Sequence, residues 1–176
     1  MTPRVEIVRF DGRTLQALAT GDLAAANARS PIPLGPAFTG PDWRPTWQIR
    51  AAQVLDDPAA LDWITGAVWD PDRGVAVGSA GFHGPPDERA SVEIGYAIAP
   101  DHRRRGYARA AVQALLAEAA AAPDVAIVRV SIRPDNVASF AVVAPFGFER
   151  VGLVFDEDDG AWETVLERPA GQPPGW

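Results

Sequence analysis

A run of three arginines followed by glycine, at 103–106, separates an alternating apolar segment from a long helical one. Residues 92–98 alternate with a period of two, which predicts a strand that Pro100 ends. The following segment repeats apolar residues at helical spacing, namely Ala108, Val112, Leu115, Leu116 and Ala119. The first N–H groups of a helix lack partners and carry the positive end of its dipole, and small residues there let a diphosphate approach. The pattern predicts an anion cradle for a phosphate-bearing cofactor.

Other phosphate-binding patterns are missing from the sequence. It contains neither a G-x-G-x-x-G after a strand nor a P-loop G-K-[ST], which disfavours a dinucleotide-binding fold. One alternative stays open at this point. The arginine loop could also bind an unrelated anion, or simply be solvated.

The 176 residues carry a formal charge of −7 and no cysteine. We predict one domain over residues 1–168, followed by a flexible Gly/Pro-rich tail at 169–176. The absence of cysteine excludes disulfides, thiolate zinc sites and a cysteine nucleophile. The acidic charge disfavours general nucleic-acid binding. His83 and His102 have no metal-ligand spacing, so we expect surface histidines and no metal site.

Targeting signals are also missing. The N-terminal residues lead into an alternating strand rather than an apolar signal segment. The longest apolar runs are far shorter than a membrane span. We therefore expect a cytoplasmic protein without a membrane partner.

Alternation and turn signals predict seven strands, at 4–10, 63–70, 75–83, 92–98, 125–132, 149–155 and 161–167. Helices are predicted from a Thr14 cap to about 29, at 46–55, after the arginine loop, and at 137–145. Hairpin-linked strands form an antiparallel meander, whereas the strand at 125–132 follows a helical crossover and should lie parallel to 92–98. We predict an α/β (α+β) fold: a mixed, mostly antiparallel sheet of about seven strands, flanking helices and a central parallel pair.

The segment at 30–47 crowds five prolines among Phe38, Trp43 and Trp47. Proline at this density excludes a regular element over 30–45. Two interpretations stay open: a hydrophobic lid or acceptor wall, or packing that covers the sheet.

Two segments carry more specific patterns. Residues 98–108 read I-A-P-D-H-R-R-R-G-Y-A, and residues 136–139 read N-V-A-S, followed by F-G-F-E-R-V-G at 146–152. In this order they resemble the pyrophosphate loop, [RQ]-x-x-G-x-[GA], and the N-x-x-S and G-F signature of the GNAT superfamily of acyl-CoA-dependent N-acetyltransferases. The E-I-G-Y at 93–96 is similar to the Rim-type branch, which acetylates protein N-termini. The resemblance covers about residues 91–152.

The resemblance implies acetyl-CoA as the cofactor. Backbone amides of the loop would hold its diphosphate, Ile98 would pair with the pantetheine arm, and the Ala97 amide would polarise the thioester carbonyl. Asn136 and Ser139 would face the pantetheine and thiol, with a helix cap as the alternative for Asn136. The implied cofactor-binding residues are Ala97, Ile98, Arg103, Arg104, Arg105, Gly106, Tyr107, Ala108, Arg109, Asn136 and Ser139.

Acyl transfer to an amine requires removal of the amine's proton. Glu93 is the candidate base, because it shares a strand face with Gly95 and Ala97, whose small side chains leave space; a solvated glutamate is the alternative. Asp87 and Glu88 are weaker candidates. The tyrosine that many family members use as the acid is replaced by Val143, so Ser139 or water would reprotonate the thiolate.

These features predict transfer of an acetyl group from acetyl-CoA to a primary amine, by direct attack in a ternary complex. The acceptor is a protein N-terminus or a small-molecule amine. A non-catalytic acyl-CoA sensor or scaffold is the alternative. We expect a monomer or a homodimer.

Overall fold

The computed structural model describes residues 2–157 and 160–173. Its strands form one mixed sheet in the order β1-β2-β3-β4-β5-β7-β6. The strands are β1 (Glu6–Val8), β2 (Gly66–Asp70), β3 (Val75–Phe82), β4 (Ser91–Ile98), β5 (Ile127–Ile132), β6 (Glu149–Asp156) and β7 (Ala161–Pro169). All neighbouring pairs are antiparallel except β4 and β5, which are parallel. The predicted fold class is confirmed.

Helices cover both faces of the sheet. They are α1 (Gly12–Thr20), α2 (Leu23–Asn27), α3 (Arg44–Asp56), α4 (Tyr107–Ala121) and α5 (Val137–Val143). Apolar residues of α4 and α5 pack on one face, and those of α1, α2 and α3 pack on the other. In the described part of the chain, no helix is long and apolar enough to cross a membrane.

The central parallel pair separates along its length. β4 and β5 are in register only from Ser91–Glu93 with Ile127–Arg129, whereas β4 stays paired with β3 as far as Ile98. The second half of β4 therefore has one edge free of β5. This opening is the feature that positions the site.

The helix predicted from Thr14 to residue 29 is divided into α1 and α2. The capping residue is Asp11, whose carboxylate accepts the Thr14 N–H at 2.7 Å, while Thr14 itself is buried. Gly21 ends α1 with a φ of 82°, in the left-handed region that favours glycine.

The Pro/Trp segment packs its aromatic side chains into the core between the sheet and α1–α3. Phe38, Trp43 and Trp47 are buried, and the Trp47 indole N–H donates to the Phe38 carbonyl at 2.7 Å. The packing interpretation therefore holds for these side chains. The neighbouring Pro33–Phe38 stretch lines a separate cavity of about 470 Å³ that also touches His102.

The sheet extends further toward the C-terminus than predicted. β7 includes Pro169, and the buried Ala170 donates its N–H to the Ala126 carbonyl at 2.9 Å. The tail predicted to begin at residue 169 is thus wrong for these two residues, because this backbone pairing holds them in place. Residues 174–176 lie outside the described chain, and the single-domain boundary stays a prediction.

Candidate functional site

The arginine loop has the backbone shape of an anion nest. Arg104 and Gly106 both adopt left-handed conformations, with φ values of 58° and 84°. Successive N–H groups in such a turn conformation can face one concavity. Gly106 also precedes α4, and within the described chain no side chain caps this helix end. The N–H groups of the first helical turn are thus left for a ligand.

A groove of about 670 Å³ runs from this loop along β4 to α5. It is lined by every predicted cofactor-binding residue except Arg105, which is exposed. It is also lined by Tyr96, His102, Ala138 and Val142, which the sequence analysis did not assign.

The register of β3 with β4 decides which backbone groups face the opening. The Ala99 N–H donates to the Val77 carbonyl, and the His83 N–H donates to the Glu93 carbonyl. In an antiparallel pair every second residue is hydrogen-bonded, so the residues between 93 and 99 that bond across the pair are the odd-numbered ones. Ala97 therefore points its N–H toward β3, whereas Tyr96 and Ile98 point theirs away from it. The thioester role assigned to the Ala97 amide is corrected accordingly, and Tyr96 offers the amide that faces the opening.

The loop and strand are tied together by Arg103. Its Nε donates to the Ile98 carbonyl at 2.9 Å, so that carbonyl is already used and the Ile98 N–H is the group left for a ligand.

The N-x-x-S segment closes the groove from α5. The Asn136 side chain accepts the Ser139 N–H at 3.1 Å, which is the helix-cap alternative considered for this residue. The Ser139 carbonyl in turn accepts a hydrogen bond from the Tyr96 hydroxyl at 3.3 Å. The first contact caps α5, and the second joins α5 to the open part of β4.

Tyr96 places a phenol in the groove that the sequence analysis missed. Burial raises the pKa of this phenol, and its hydrogen bond to Ser139 only partly offsets that effect. The group is therefore protonated at neutral pH and can donate a proton. Val143, at the usual tyrosine position, is buried in the core. A family pattern that looks for the tyrosine only at that position overlooks one supplied by β4.

Tyr107 is placed differently, because its side chain turns into the core. Its hydroxyl donates to the buried Asp70 carboxylate at 2.6 Å, which joins the start of α4 to the end of β2. Only the backbone of Tyr107 is suitably placed for the loop function.

We expect Tyr107→Phe to lower the free energy of unfolding by about 1–3 kcal/mol, because the buried Asp70 carboxylate loses a hydrogen-bond donor. Urea unfolding measures this change. A loss below about 0.5 kcal/mol, the range typical of a surface substitution, would contradict this role.

Glu93 lies on the other face of β4, where it contacts a second unassigned residue. Its Oε1 is 3.9 Å from Nδ1 of His83. His83 is exposed at the end of β3, as expected for a surface histidine, and the hairpin pairing also brings it close to Glu93. Asp87 instead accepts the backbone N–H groups of Arg89 and Ser91 and serves the turn.

The family described as "Acetyltransferase (GNAT) domain" matches residues 34–149. The chain belongs to the GNAT acetyltransferase family. The predicted membership of this superfamily is confirmed.

Individual relatives support the family without separating its branches. The chain is 38% identical over 72 residues to "Uncharacterized N-acetyltransferase YjdG" of Bacillus subtilis (strain 168). The aligned segment covers 41% of this chain and 43% of YjdG. The match thus spans less than half of that relative.

Solved structures of the GNAT fold resemble the whole chain. Mycobacterium smegmatis RimJ in complex with CoA-disulfide has a TM-score of 0.61 and 22% identity, covering 97% of this chain and 90% of RimJ. A spermidine N-acetyltransferase SpeG chimera from Vibrio cholerae and hSSAT has a TM-score of 0.63 and 14% identity, covering 95% and 96%. At these identities the likeness shows the fold alone, and it does not distinguish the Rim-type branch.

Proposed function

We propose that this GNAT protein transfers an acetyl group from acetyl-CoA to a primary amine, by direct attack in a ternary complex. The observation that carries the proposal is the groove between the left-handed loop at 104–106, the open edge of β4 and α5. It joins an anion cradle to a strand edge with free backbone groups and to a protonated phenol.

The residues present fit coenzyme A. The nest and the uncapped start of α4 suit a diphosphate, and the side chains of Arg103, Arg104 and Arg109 add positive charge at the groove. The Ile98 N–H would pair with the amide-rich pantetheine arm, as an added strand does. When bound, acetyl-CoA supplies the activated acyl group as a thioester.

The protein's own groups account for charge and proton handling. The Tyr96 N–H would stabilise negative charge that develops on the acyl oxygen. The Tyr96 hydroxyl would return a proton to the leaving sulfur. The group that takes the amine's proton would come from the Glu93 and His83 cluster on the opposite face of β4. Ser139 holds Tyr96 through its carbonyl oxygen, and its hydroxyl is the alternative acid.

The non-catalytic alternative loses its main argument. It depended on the missing tyrosine at Val143, and Tyr96 supplies a phenol to the groove from another element. An acyl-CoA-binding domain without turnover remains the outcome that would replace this proposal.

The acceptor belongs to the class of primary amines. A Rim-type acceptor, the N-terminus of a protein, is supported by the E-I-G-Y segment at 93–96, whereas a polyamine is the comparable small-molecule alternative. A peptide beginning with alanine and spermidine are suitable probes of the two classes.

The test measures release of free thiol from acetyl-CoA by the purified protein, with each amine in turn. We expect thiol release that depends on one amine class, together with an equal amount of acetylated amine by mass spectrometry. Tight binding of acetyl-CoA with no amine-dependent thiol release would favour the sensor or scaffold.

A further inference from the structure

His83 lies where the opening between β4 and β5 meets the face covered by α3. It directly follows β3, and its backbone N–H donates to the Glu93 carbonyl at 2.8 Å. Side chains alternate along β4, so Tyr96 packs with the α4 and α5 core whereas Ala97 packs with the core of α1–α3. The groove and the His83 cluster thus lie on opposite faces of one strand.

The imidazole lies directly over Gly95. A Cβ placed on Gly95 would be 2.6 Å from Nε2 of His83, so the ring occupies the space that glycine leaves. Gly95 precedes Tyr96, whose N–H faces the opening. Nε2 therefore lies over the residue next to Tyr96 in the sequence, while Nδ1 lies 3.9 Å from Oε1 of Glu93.

The ring is accessible to a ligand. Its side chain is 47% exposed. Glu93 is less accessible, with 27% of its side chain exposed.

Three charged groups on three elements act electrostatically on the His83 imidazole: Glu93 on β4, Arg50 on α3 and Asp156 on β6. The Arg50 guanidinium is buried and donates to the Thr65 hydroxyl and the His83 carbonyl. Burial lowers the pKa of His83 and Arg50 lowers it further, while Glu93 and Asp156 act in the opposite direction. At neutral pH the imidazole is thus neutral and has a free nitrogen to accept a proton.

We propose that Nε2 of His83 takes the proton from the attacking amine, while Glu93 orients the imidazole and stabilises it once protonated. This assignment rests on the proposed acetyl transfer. As the amine nitrogen bonds to the acyl carbon, it loses one proton to Nε2 and the carbon–sulfur bond breaks. The released sulfur takes a proton from Tyr96 or water. His83 then returns its proton to the solvent, and the solvent reprotonates Tyr96 if Tyr96 was the donor.

Glu93 is a positioning residue in this scheme. Its carboxylate lies 3.9 Å from Nδ1, an electrostatic contact that favours the charged form of the imidazole. Gly95 leaves room for the ring, since a Cβ there would lie 2.6 Å from Nε2.

The first test needs neither cofactor nor acceptor. Nuclear magnetic resonance titration follows the imidazole signals of the two histidines, and His83→Asn identifies the His83 signal. We expect a His83 pKa below its ordinary value of about 6.5. Glu93→Gln should lower it further, because the carboxylate that raises it is removed, whereas the distant Glu6→Gln should leave it unchanged. An unchanged pKa in Glu93→Gln would overturn the pairing.

The second test uses whichever probe amine, the alanine peptide or spermidine, supports turnover. We expect His83→Ala to lower kcat about 100-fold with acetyl-CoA affinity retained, and added imidazole to restore part of the rate. In Glu93→Gln the acidic limb of the kcat/KM profile should move to lower pH with His83. A loss in Glu93→Gln as large as in His83→Ala, without that shift, would make Glu93 the base and overturn the assignment.

Gly95→Ala tests whether activity depends on the position of the His83 ring over residue 95, apart from any effect on folding. We expect a large loss of kcat in the wild-type background and little further loss in His83→Ala, with unchanged acetyl-CoA affinity in both. Equal losses in the two backgrounds would contradict the contact. If the wild type transfers no acetyl group to either probe, the proposed function fails and this assignment falls with it, whereas failed imidazole rescue in an active protein overturns this assignment alone.

Discussion

Replacing Gly106 by glutamate is expected to weaken acetyl-CoA binding by at least 100-fold. The new side chain would place bulk and negative charge in the nest that presents N–H groups to the diphosphate, and like charges there repel. Gly106 also has a φ of 84°, so any other residue adds backbone strain of about 1–2 kcal/mol. Calorimetric titration with acetyl-CoA measures the affinity.

Gly160→Glu is the matched control. Gly160 has a similar left-handed φ of 61°, so this variant adds the same charge to a similar backbone conformation outside the residues that line the groove. A Cβ on Gly160 would have no neighbour within 4 Å, whereas one on Gly106 would lie 3.1 Å from Cδ of Pro3. We expect Gly160→Glu to bind as the wild type does. Retained affinity in Gly106→Glu would remove the loop from the binding site.

Replacing Tyr96 by phenylalanine is expected to lower kcat about tenfold to a hundredfold while acetyl-CoA affinity is unchanged. The substitution removes the phenolic proton and keeps the backbone N–H that faces the opening. General acids typically contribute 10²–10⁴-fold. We expect the lower part of this range or less, because a thiolate with a parent pKa of about 8.5 is already a good leaving group.

Thiol-release kinetics and calorimetry together test the Tyr96 assignment. Its hydrogen bond to the Ser139 carbonyl is long, at 3.3 Å, so we expect only a small loss of stability from the same substitution. A variant with wild-type kcat would exclude Tyr96 as the acid and favour Ser139 or water. A variant with weakened cofactor binding would make the phenol a binding group instead.

The parts of the fold that the sequence predicted best are those with strong local periodicity. The strand, loop and helix around residues 91–121 and the strand at 127–132 were predicted within a few residues, because side-chain alternation and apolar stripes are local signals. The division of α1 and α2 was missed because the first helix ends only at the left-handed backbone of Gly21. The start of that helix was ambiguous for a different reason, since Asp11 and Thr14 are both good caps.

The chemistry of β4 depended on information that is not local. Alternation predicted which side chains share a face, but the direction of each N–H follows from pairing with β3. This is why the thioester role was given to Ala97 and not to Tyr96. His83 was missed for the same reason. Closing the hairpin across residues 84–92 would have placed it opposite Glu93, so the register of that hairpin was the usable signal.

The Pro/Trp segment shows a third limit of the sequence. The exclusion of a regular element over 30–45 was too strict, because a short 3-10 helix forms at Pro36–Thr39 and α3 begins at Arg44. Composition also does not distinguish an exposed aromatic wall from a buried one. Phe38, Trp43 and Trp47 are buried against α1 because the neighbouring sheet face needs covering.

The most direct test of the account is the state of the thioester carbonyl in the bound complex. Acetyl-CoA labelled with ¹³C at this carbonyl can be followed by isotope-edited infrared spectroscopy on binding to the wild type. We expect the carbonyl stretch to move to lower frequency on binding, because the Tyr96 N–H polarises the carbonyl. We expect Gly106→Glu to abolish this shift. A bound carbonyl that absorbs at the frequency of a thioester in a solvent without hydrogen-bond donors would contradict the placement of the thioester at the open edge of β4.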